Sequence, residues 1–177
     1  PTGDLIGDLR AAVQDDPTFF GAYGPLAGEG GLRSRIAAYL GEDGARLRAD
    51  DVLITNGAQQ GLDLIARAFV EPGDVVAIES PTYPAAIDVF RARGAVLHPV
   101  PVDAQGLQVE RLGEIRNLRL VYTVPDFHNP TGAILSDGRR RALVDLARER
   151  GFLVVEDDPW REINFGEPLP PPLRTLP

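Results

Sequence analysis

The sequence predicts an α/β fold in which helices cover both faces of a mostly parallel sheet. Short, continuous apolar runs, such as residues 75–78 and 118–124, are typical of strands that are buried on both faces. Longer segments between these runs carry apolar residues at helical spacing. Because strand and helix patterns alternate along the chain, we expect the strands to run parallel to one another.

Each element is predicted from its own apolar pattern and the turn residues that border it. The predicted strands are short apolar runs at residues 52–55, 75–78, 96–100, 118–124 and 152–156. The predicted helices each carry one apolar face and lie at residues 5–13, 32–40, 58–69, 82–93 and 137–150. Gly41 is expected to end the second helix, and Phe69 is expected to face the core from the third. The proline-rich tail from residue 167 to residue 177 is expected to be extended.

The length and composition are those of one globular domain with a hydrophobic core. The 177 residues are 44% hydrophobic and 25% charged, which is ordinary for a folded domain. The net charge of −8 argues against a nucleic-acid surface, because such surfaces are basic. The run of Arg139, Arg140 and Arg141 lies in a predicted amphipathic helix, where a solvated helical face is the favoured interpretation.

Several kinds of site find no support in the sequence. The chain has no cysteine, which excludes disulfides and thiolate metal sites, and His98 and His128 do not have the spacing of metal ligands. No apolar stretch is long enough to cross a bilayer and no signal peptide is visible, so we expect a cytoplasmic location. The chain begins at Pro1 and contains no methionine, which indicates a processed, trimmed or excerpted product.

Loops that follow the predicted strands carry residues suited to binding a ligand. In open α/β sheets, ligands bind beyond the carboxyl ends of the strands. Gly57 opens a helix whose first N–H groups suit a phosphate, although most helices that begin with glycine bind nothing. Tyr83 lies between two prolines, where it either stacks on a planar ligand or packs against its own loop.

Two further loops carry an amide and a carboxylate. Asn129 precedes a proline, and its amide can donate to a phenolate oxygen; the simpler alternative is an Asn-Pro turn. Asp157 follows a predicted buried strand, where an unpaired carboxylate is costly. We therefore expect Asp157 to pair either with an arginine or with a cationic atom of a ligand.

Together these loops resemble those of the fold-type-I aminotransferases, which depend on pyridoxal 5′-phosphate (PLP). The likeness runs from about residue 22 to residue 173, and the segments that carry it follow the family's order: TNGAQQGLDL, EPGD, ESPTY, PVDAQGL, HNPTG and VVEDDPW. It is greatest to the branch that contains the aminoadipate and kynurenine aminotransferases. The aminotransferase-like domains of MocR-type regulators resemble the chain nearly as closely.

The resemblance implies how a cofactor is held. Ala58 and Gln59 would bind the phosphate through backbone N–H groups at a helix start, where the helix dipole favours an anion. Tyr83 would stack on the pyridine ring, and Asn129 would hydrogen-bond its phenolic oxygen. Asp157 would pair with the protonated pyridine nitrogen and keep the ring cationic.

Four other residues are interpreted through the same resemblance. Tyr23 would reach across a dimer interface to the phosphate of the neighbouring subunit, which implies a homodimer. Trp160 stands where the family usually has a tyrosine whose hydroxyl donates to the phenolic oxygen, and its indole N–H could donate once. His128 stands where glutamine is common, and we assign it no catalytic role. Asp158 is expected to cap a helix or a turn rather than to bind the cofactor.

The chain contains no lysine, because all 18 of its basic residues are arginines. In the family a lysine holds PLP as a Schiff base, and the resemblance places that lysine beyond residue 177. The same holds for the arginines that bind the phosphate and the substrate carboxylate, and for the small domain. We therefore interpret residues 1–20 as an N-terminal helical segment and residues 21–177 as a partial PLP-binding large domain, with no catalytic residue of its own.

These observations leave two main functions open. The first is a fragment of a PLP-dependent aminotransferase, which transfers an amino group between an amino acid and a 2-oxo acid; the chain alone is expected to be inactive. The second is a PLP- or amino-acid-sensing effector domain of a GntR/MocR-type transcriptional regulator, whose DNA-binding domain would precede Pro1. A truncated, non-catalytic protein with a structural role is the remaining alternative. In none of them does this chain itself bind nucleic acid or a membrane.

Overall fold

Residues 4–16, 21, 23–166 and 168–177 are described by a computed structural model of the protein. The chain divides into two compact units. The first contains Pro1–Glu42 and Arg46–Ile54, and the second contains Asp43–Ala45 and Thr55–Pro177. The expected boundary at residue 20 lies outside the described residues, so the division into an N-terminal segment and a partial large domain stays a prediction.

Two helices and a 3-10 turn make up the described part of the first unit. Helix α1 spans Leu5–Asp15, α2 spans Gly30–Glu42, and the 3-10 turn covers Ala49–Asp51. Helix α2 includes Gly41 and continues beyond it, so the prediction that this glycine ends the helix is wrong. Glycine weakens a helix by only about 1 kcal/mol, and it ends one where the backbone turns left-handed, which does not happen here.

The strand predicted at residues 52–55 is not formed. The Arg33 Nε donates a hydrogen bond of 2.9 Å to the backbone oxygen of Val52. The Ile54 N–H donates one of 2.9 Å to the oxygen of Ala27. Because these backbone groups bond to a side chain and to a loop, they form no strand ladder, and the apolar run becomes an irregular segment.

The second unit is built on a mixed sheet. Within the described residues its strands are β1 (Val75–Ser80), β2 (Val96–Asp103), β3 (Gly106–Leu107), β4 (Leu118–Thr123) and β5 (Leu153–Glu156). Their order across the sheet is β3-β2-β1-β4-β5. The four longer strands are parallel, whereas β3 runs antiparallel to β2. The predicted mostly parallel sheet is confirmed.

The short strand β3 has no counterpart among the predicted elements, because two residues carry no periodic pattern. It begins at Gly106, where the chain has just reversed direction and φ is +86°. A Cβ at this position would lie 2.7 Å from the Cα of Leu135. Both the positive φ and the close backbone approach require glycine at this point.

Helices cover both faces of the sheet, as predicted. Within the described residues of this unit they are α3 (Ala58–Phe69), α4 (Pro84–Ala92) and α5 (Asp137–Arg150). Two hydrophobic clusters lie on opposite faces. Val76 and Ile78 of β1 pack in the cluster that contains α3 and α4 residues, whereas Ala77 packs in the cluster that contains Leu143 of α5. Successive residues of β1 thus serve different cores, as the two-residue period of a strand requires.

Phe69 does not face the core as predicted, because its side chain is 44% exposed. Helix α3 ends at Phe69, and the backbone becomes extended at Val70. Val70 is 1% exposed and joins Ala66 in the core cluster. Helical spacing predicts which residues face the core only within a regular helix. It therefore misplaces Phe69, the residue at which the helix ends.

The proline-rich tail is only partly extended. Within residues 168–177 a 3-10 turn spans Leu173–Thr175, and Leu173 is buried in the core beside α5. The carboxylate of Glu156 at the end of β5 accepts a hydrogen bond of 2.7 Å from the Leu173 N–H. The tail is therefore packed onto the sheet through its leucine and its backbone.

The order of the strands determines where a ligand can bind. From β1 the chain passes to β2 on one side and later returns to β4 on the other. The loops that leave β1 and β4 therefore diverge, and they open a crevice at the carboxyl ends of these strands. The loop after β5 lies at the same edge of the sheet, since β5 is parallel to β4.

Candidate functional site

A cavity of about 210 Å³ lies at this carboxyl edge of the sheet. The start of α3 and the loops after β1, β4 and β5 enclose it, and its lining residues are Ala58, Tyr83, Val124, Asn129, Asp157, Pro159 and Trp160. Most of the residues predicted from the sequence to bind a cofactor therefore meet in one place. They come from four separate loops, and the parallel sheet brings them together.

The N-terminus of α3 presents its first N–H groups beside the cavity. Its N-cap is Gly57, whose φ of 87° is a conformation that favours glycine. The Thr55 hydroxyl donates to the Gly57 oxygen at 3.1 Å and fixes the turn. The N–H groups of Ala58 and Gln59 have no acceptor inside the helix, as in the first turn of any helix. Together with the helix dipole they form a site suited to an anion.

Asp157 is held by a tyrosine of the neighbouring strand. The Tyr122 hydroxyl donates to the Asp157 Oδ2 at 2.6 Å. The Asp157 N–H donates to the Thr123 oxygen at 3.0 Å, which continues the pairing of β4 with β5 by one residue. The sequence predicts either an arginine or a ligand cation as the partner of Asp157. Among the described residues no arginine pairs with it, so the cationic ligand remains open.

Burial, followed by the hydrogen bond to Asp157 and the negative charge of that residue, raises the pKa of Tyr122. The phenol therefore keeps its proton and acts as a donor. Tyr122 is fully buried in the core cluster on the α3 and α4 face of the sheet. It is missing from the residues predicted for the site, although one signal was available: a hydroxyl inside an apolar strand needs a partner when it is buried.

Asn129 lies in a tight turn, as the Asn-Pro interpretation predicts, and it also lines the cavity. Its hydrogen bond to a phenolic oxygen stays a prediction. The Gly132 N–H donates to the His128 oxygen at 2.6 Å and closes the turn. The His128 N–H donates to the Ala133 oxygen at 2.9 Å. The amide of Asn129 is consequently carried by a backbone that is hydrogen-bonded on both sides of it.

A buried pair of polar side chains supports this turn from behind. The Glu79 carboxylate, at the end of β1, accepts hydrogen bonds from the Thr123 hydroxyl at 2.6 Å and from the Val124 N–H at 2.9 Å. The His128 Nε2 lies 3.1 Å from the Glu79 Oε2, and its Nδ1 lies 2.8 Å from the Thr131 hydroxyl. The side chain that we assigned no catalytic role therefore links β1 to the loop that carries Asn129.

A second support is an ion network around a fully buried pair. Asp126 and Arg140 are both 0% exposed and form an ion pair. Arg161 completes the network, with its Nη1 2.8 Å from the Asp126 Oδ2. The Arg140 Nε donates to the Leu135 oxygen at 2.8 Å, and its Nη2 donates to the Pro125 oxygen at 3.2 Å. Arg140 thus fastens both ends of the loop between β4 and α5.

The predicted solvated face for the three consecutive arginines is wrong for two of them. Arg140 is buried in this network, and Arg139 pairs with both carboxylate oxygens of Asp103 at 2.6 and 2.8 Å. Arg141 alone fits the prediction, since it is exposed and pairs with Asp137 one helical turn away. Charge runs are solvated when no carboxylate faces them, and here tertiary packing brings the carboxylates of Asp103, Glu110 and Asp126 to the helix.

Asp158 does not act as the predicted cap. Its buried Oδ1 has no hydrogen-bond partner among the described residues. Burial, followed by the negative charges of Asp126 and Glu156, raises the pKa of the Asp158 carboxyl from 3.8 to about 7. The arginines Arg161 and Arg174 oppose this shift without cancelling it. The two adjacent aspartates therefore differ in chemistry: Asp157 has a hydrogen-bond donor, whereas the buried oxygen of Asp158 has none within the described residues.

We expect the substitution Asp158→Asn to change how stability depends on pH. A carboxyl whose pKa is raised on folding stabilises the fold fully below its ordinary pKa of 3.8, and this contribution is lost as the pH rises through about 7. Thermal unfolding of both proteins between pH 5 and pH 9 checks this. The variant should gain stability relative to the wild type as the pH increases, and a difference in Tm that stays constant with pH would contradict the prediction.

The two remaining predicted site residues differ in position. Trp160 lines the cavity with a side chain that is 42% exposed, and its donation to a phenolic oxygen stays a prediction. Tyr23 belongs to the first unit and is fully exposed. Its role in a neighbouring subunit stays a prediction.

Neither a metal site nor a membrane span is found in the described part of the chain. There, no group of three or more histidine, aspartate or glutamate side chains is arranged to hold a metal ion. No described helix is both long and apolar enough to span a bilayer.

Known proteins share both the sequence and this fold. The 2-aminoadipate transaminase of Thermus thermophilus is 38% identical over 157 residues, which cover 87% of this chain and 38% of that protein. An uncharacterized HTH-type transcriptional regulator of Escherichia coli, YjiR, is 34% identical over 170 residues, which cover 94% of this chain and 36% of the regulator. The crystal structure of Pyrococcus horikoshii kynurenine aminotransferase matches with a TM-score of 0.88 at 34% identity, over 97% of this chain and 45% of that one.

The chain thus spans less than half the length of each of these relatives. The fold is that of the large domain of fold-type-I aminotransferases, as predicted. The sequence profile of aminotransferase class I and II matches residues 3–175, which is almost the whole chain. The chain therefore belongs to the aminotransferase class I and II family.

Proposed function

We propose that this chain forms the cofactor-binding part of a PLP-dependent aminotransferase, which transfers an amino group between an amino acid and a 2-oxo acid. One observation carries the proposal: a single cavity of about 210 Å³ is lined by an aromatic ring, an amide, a carboxylate and a helix N-terminus. These four groups are the complement of the four parts of PLP. The family match agrees with this cofactor, and the relative from Pyrococcus horikoshii is described as a complex with PMP, its aminated form.

The residues present fit the cofactor by their chemistry. The N–H groups of Ala58 and Gln59 would hold the dianionic phosphate at the start of α3. Tyr83 offers a flat apolar face to the ring. The Asn129 amide would donate to the phenolic oxygen, and the Asp157 carboxylate would accept from the protonated ring nitrogen. When bound, PLP supplies an electron sink for bond changes at the α carbon of the substrate.

The protein's contribution is to hold charges in place around that ring. Asp157 keeps a negative charge near the nitrogen, and Tyr122 fixes its position at 2.6 Å. The Asn129 amide is held by a turn that Arg140 and His128 brace from behind. Trp160 offers an indole N–H, which donates but cannot accept, so it favours the anionic form of the phenolic oxygen.

In the proposed mechanism a lysine provides the group that moves the substrate's α proton, and this chain contains no lysine. We propose that a lysine in a segment C-terminal to residue 177 supplies it, and that the 177-residue chain alone is inactive. We also propose that the active protein is a homodimer in which Tyr23 completes the phosphate site of the neighbouring subunit. Amino acids and 2-oxo acids are its proposed substrates.

A regulator is the second candidate. It is favoured by the 34% identity to the HTH-type transcriptional regulator YjiR over 94% of this chain. In that case the same cavity would sense PLP or an amino acid, and DNA would be bound by a separate domain. The gene sequence upstream of Pro1 separates the two functions, because a basic winged-helix segment there favours the regulator.

Covalent labelling tests whether this chain can hold PLP through a side chain. After incubation with PLP and reduction with borohydride, peptide mapping by mass spectrometry should find no pyridoxyl group on any side chain of the 177 residues, since none is a lysine. The α-amino group is mapped separately. A pyridoxylated side chain in this sequence would contradict the prediction.

The complete reading frame tests the proposed activity. We expect it to encode a lysine after residue 177 and to transaminate at least one of 2-aminoadipate, kynurenine or an aromatic amino acid with a panel of 2-oxo acids. The matched control is the same protein with that lysine replaced by alanine. A reading frame that ends at residue 177, or a full-length protein without turnover, overturns the catalytic proposal.

A further inference from the structure

Tyr122 is placed to act on the site without touching its cavity. Its ring is 0% exposed in the core and lies 6.0 Å from that of Phe90, measured between centroids. Its hydroxyl reaches the Asp157 Oδ2 at 2.6 Å, across the boundary between β4 and β5. Because the ring is fixed by core packing, the carboxylate that it holds is fixed as well.

The surroundings of the Tyr122 phenol determine which group donates in its hydrogen bond with Asp157. Burial and the nearby negative charges of Asp157 and Glu79 raise the pKa of Tyr122, so its hydroxyl remains protonated and donates. A donor to a carboxylate stabilises the charged form of that carboxylate. One oxygen of Asp157 is thus engaged, and the carboxylate is oriented for a cation in the cavity.

We infer that Tyr122 is a positioning residue that acts through Asp157 and keeps a proton on the ring nitrogen of the bound cofactor. This inference rests on the proposed function, because it needs a pyridine nitrogen beside Asp157. A carboxylate that already accepts one hydrogen bond competes less strongly for the proton that it shares with the ring. The hydroxyl therefore favours the cationic ring, the form that accepts electrons.

The test uses the 177-residue chain and pyridoxamine 5′-phosphate labelled with ¹⁵N in the ring, a probe without an aldehyde. The variants are Tyr122→Phe, Asp157→Ala and the double variant; Tyr39→Phe, in the first unit, is the matched control. The dissociation constant comes from calorimetry, and the protonation of the ring nitrogen comes from its ¹⁵N chemical shift. Circular dichroism confirms that each variant is folded.

We expect Tyr122→Phe to weaken binding by about tenfold, the size of one lost charge-assisted hydrogen bond. We also expect it to move the ¹⁵N signal toward the unprotonated position, which a purely structural role would not do. In the Asp157→Ala background the same substitution should change affinity by less than about twofold, because its partner is gone. The Tyr39→Phe chain should match the wild type.

The possible results distinguish a failure of the inference about Tyr122 from a failure of the proposed function. If the wild type binds the probe and Tyr122→Phe leaves both affinity and ¹⁵N shift unchanged, the inference is overturned and the proposed function stands. The inference is likewise overturned if Tyr122→Phe weakens binding equally with and without Asp157. If the wild-type chain does not bind the probe at all, cofactor binding by this chain is overturned, and the inference with it.

Discussion

Replacing Arg140 with methionine should lower the free energy of unfolding by about 3–5 kcal/mol, a large fraction of the roughly 5–15 kcal/mol that stabilises an ordinary domain. The substitution leaves the carboxylate of Asp126, which is 0% exposed, without one of its two guanidinium partners. It also leaves the backbone oxygen of Leu135 without its side-chain donor and removes one of the two donors to the oxygen of Pro125, which keeps the Leu135 N–H. Methionine fills much of the volume, so the loss reports charge and hydrogen bonding rather than an empty space.

Arg141→Met, one residue further along the same helix, is the matched control. Arg141 is exposed and pairs with Asp137 at 3.0 Å on the helix surface. Exposed pairs of this kind contribute only about 0.3–0.5 kcal/mol. Urea unfolding followed by circular dichroism compares the two variants with the wild type. Equal midpoints for both variants would show that the buried network contributes no more than a surface pair, which is incompatible with a carboxylate as deeply buried as that of Asp126.

Most of the sheet, and most of the residues that line the cavity, could be predicted from the sequence. Strands such as β1 and β4 are apolar runs of a few consecutive residues, so they can be recognised without knowledge of distant contacts. Asn129 and Asp157 follow strand ends directly, so a parallel sheet predicts that they share one edge. The segment at residues 52–55 shows the limit of that approach. Its apolar run is indistinguishable from a strand until Arg33 is seen to bond to its backbone.

The supports behind the cavity could not be predicted, because they join residues that are far apart in the chain. Tyr122 and Asp157 are separated by 35 positions, and Arg140 and Asp126 by 14. No periodic pattern connects such pairs. The run of three arginines illustrates the consequence: composition assigns the three side chains one role, whereas folding gives Arg140 a buried carboxylate and leaves Arg141 on the surface.

The two neighbouring aspartates, Asp157 and Asp158, provide a second variant with a matched control. Comparing them tests whether the cavity binds the cofactor. Asp157→Asn should raise the dissociation constant for pyridoxamine 5′-phosphate by about a hundredfold. A charged partner of the ring nitrogen is lost in a desolvated cavity, which costs about 3 kcal/mol. Asp158→Asn changes an adjacent carboxyl whose pKa is already raised to about 7, so below that pH it replaces a group that is mostly protonated and uncharged.

Calorimetric titration of both variants at pH 6.5 therefore distinguishes a specific role from a general effect of negative charge. If the cavity binds the cofactor through the Asp157 carboxylate, affinity falls for Asp157→Asn and stays within about threefold of the wild type for Asp158→Asn. Equal losses for the two variants would mean that the acidic segment acts as a whole, through its charge. An unchanged affinity for Asp157→Asn would show that the ring nitrogen does not bind in this cavity, because no other lining residue that the structure describes carries a negative charge. The two aspartates also differ in their contacts, since Tyr122 donates to the first and no side chain among the described residues donates to the buried oxygen of the second.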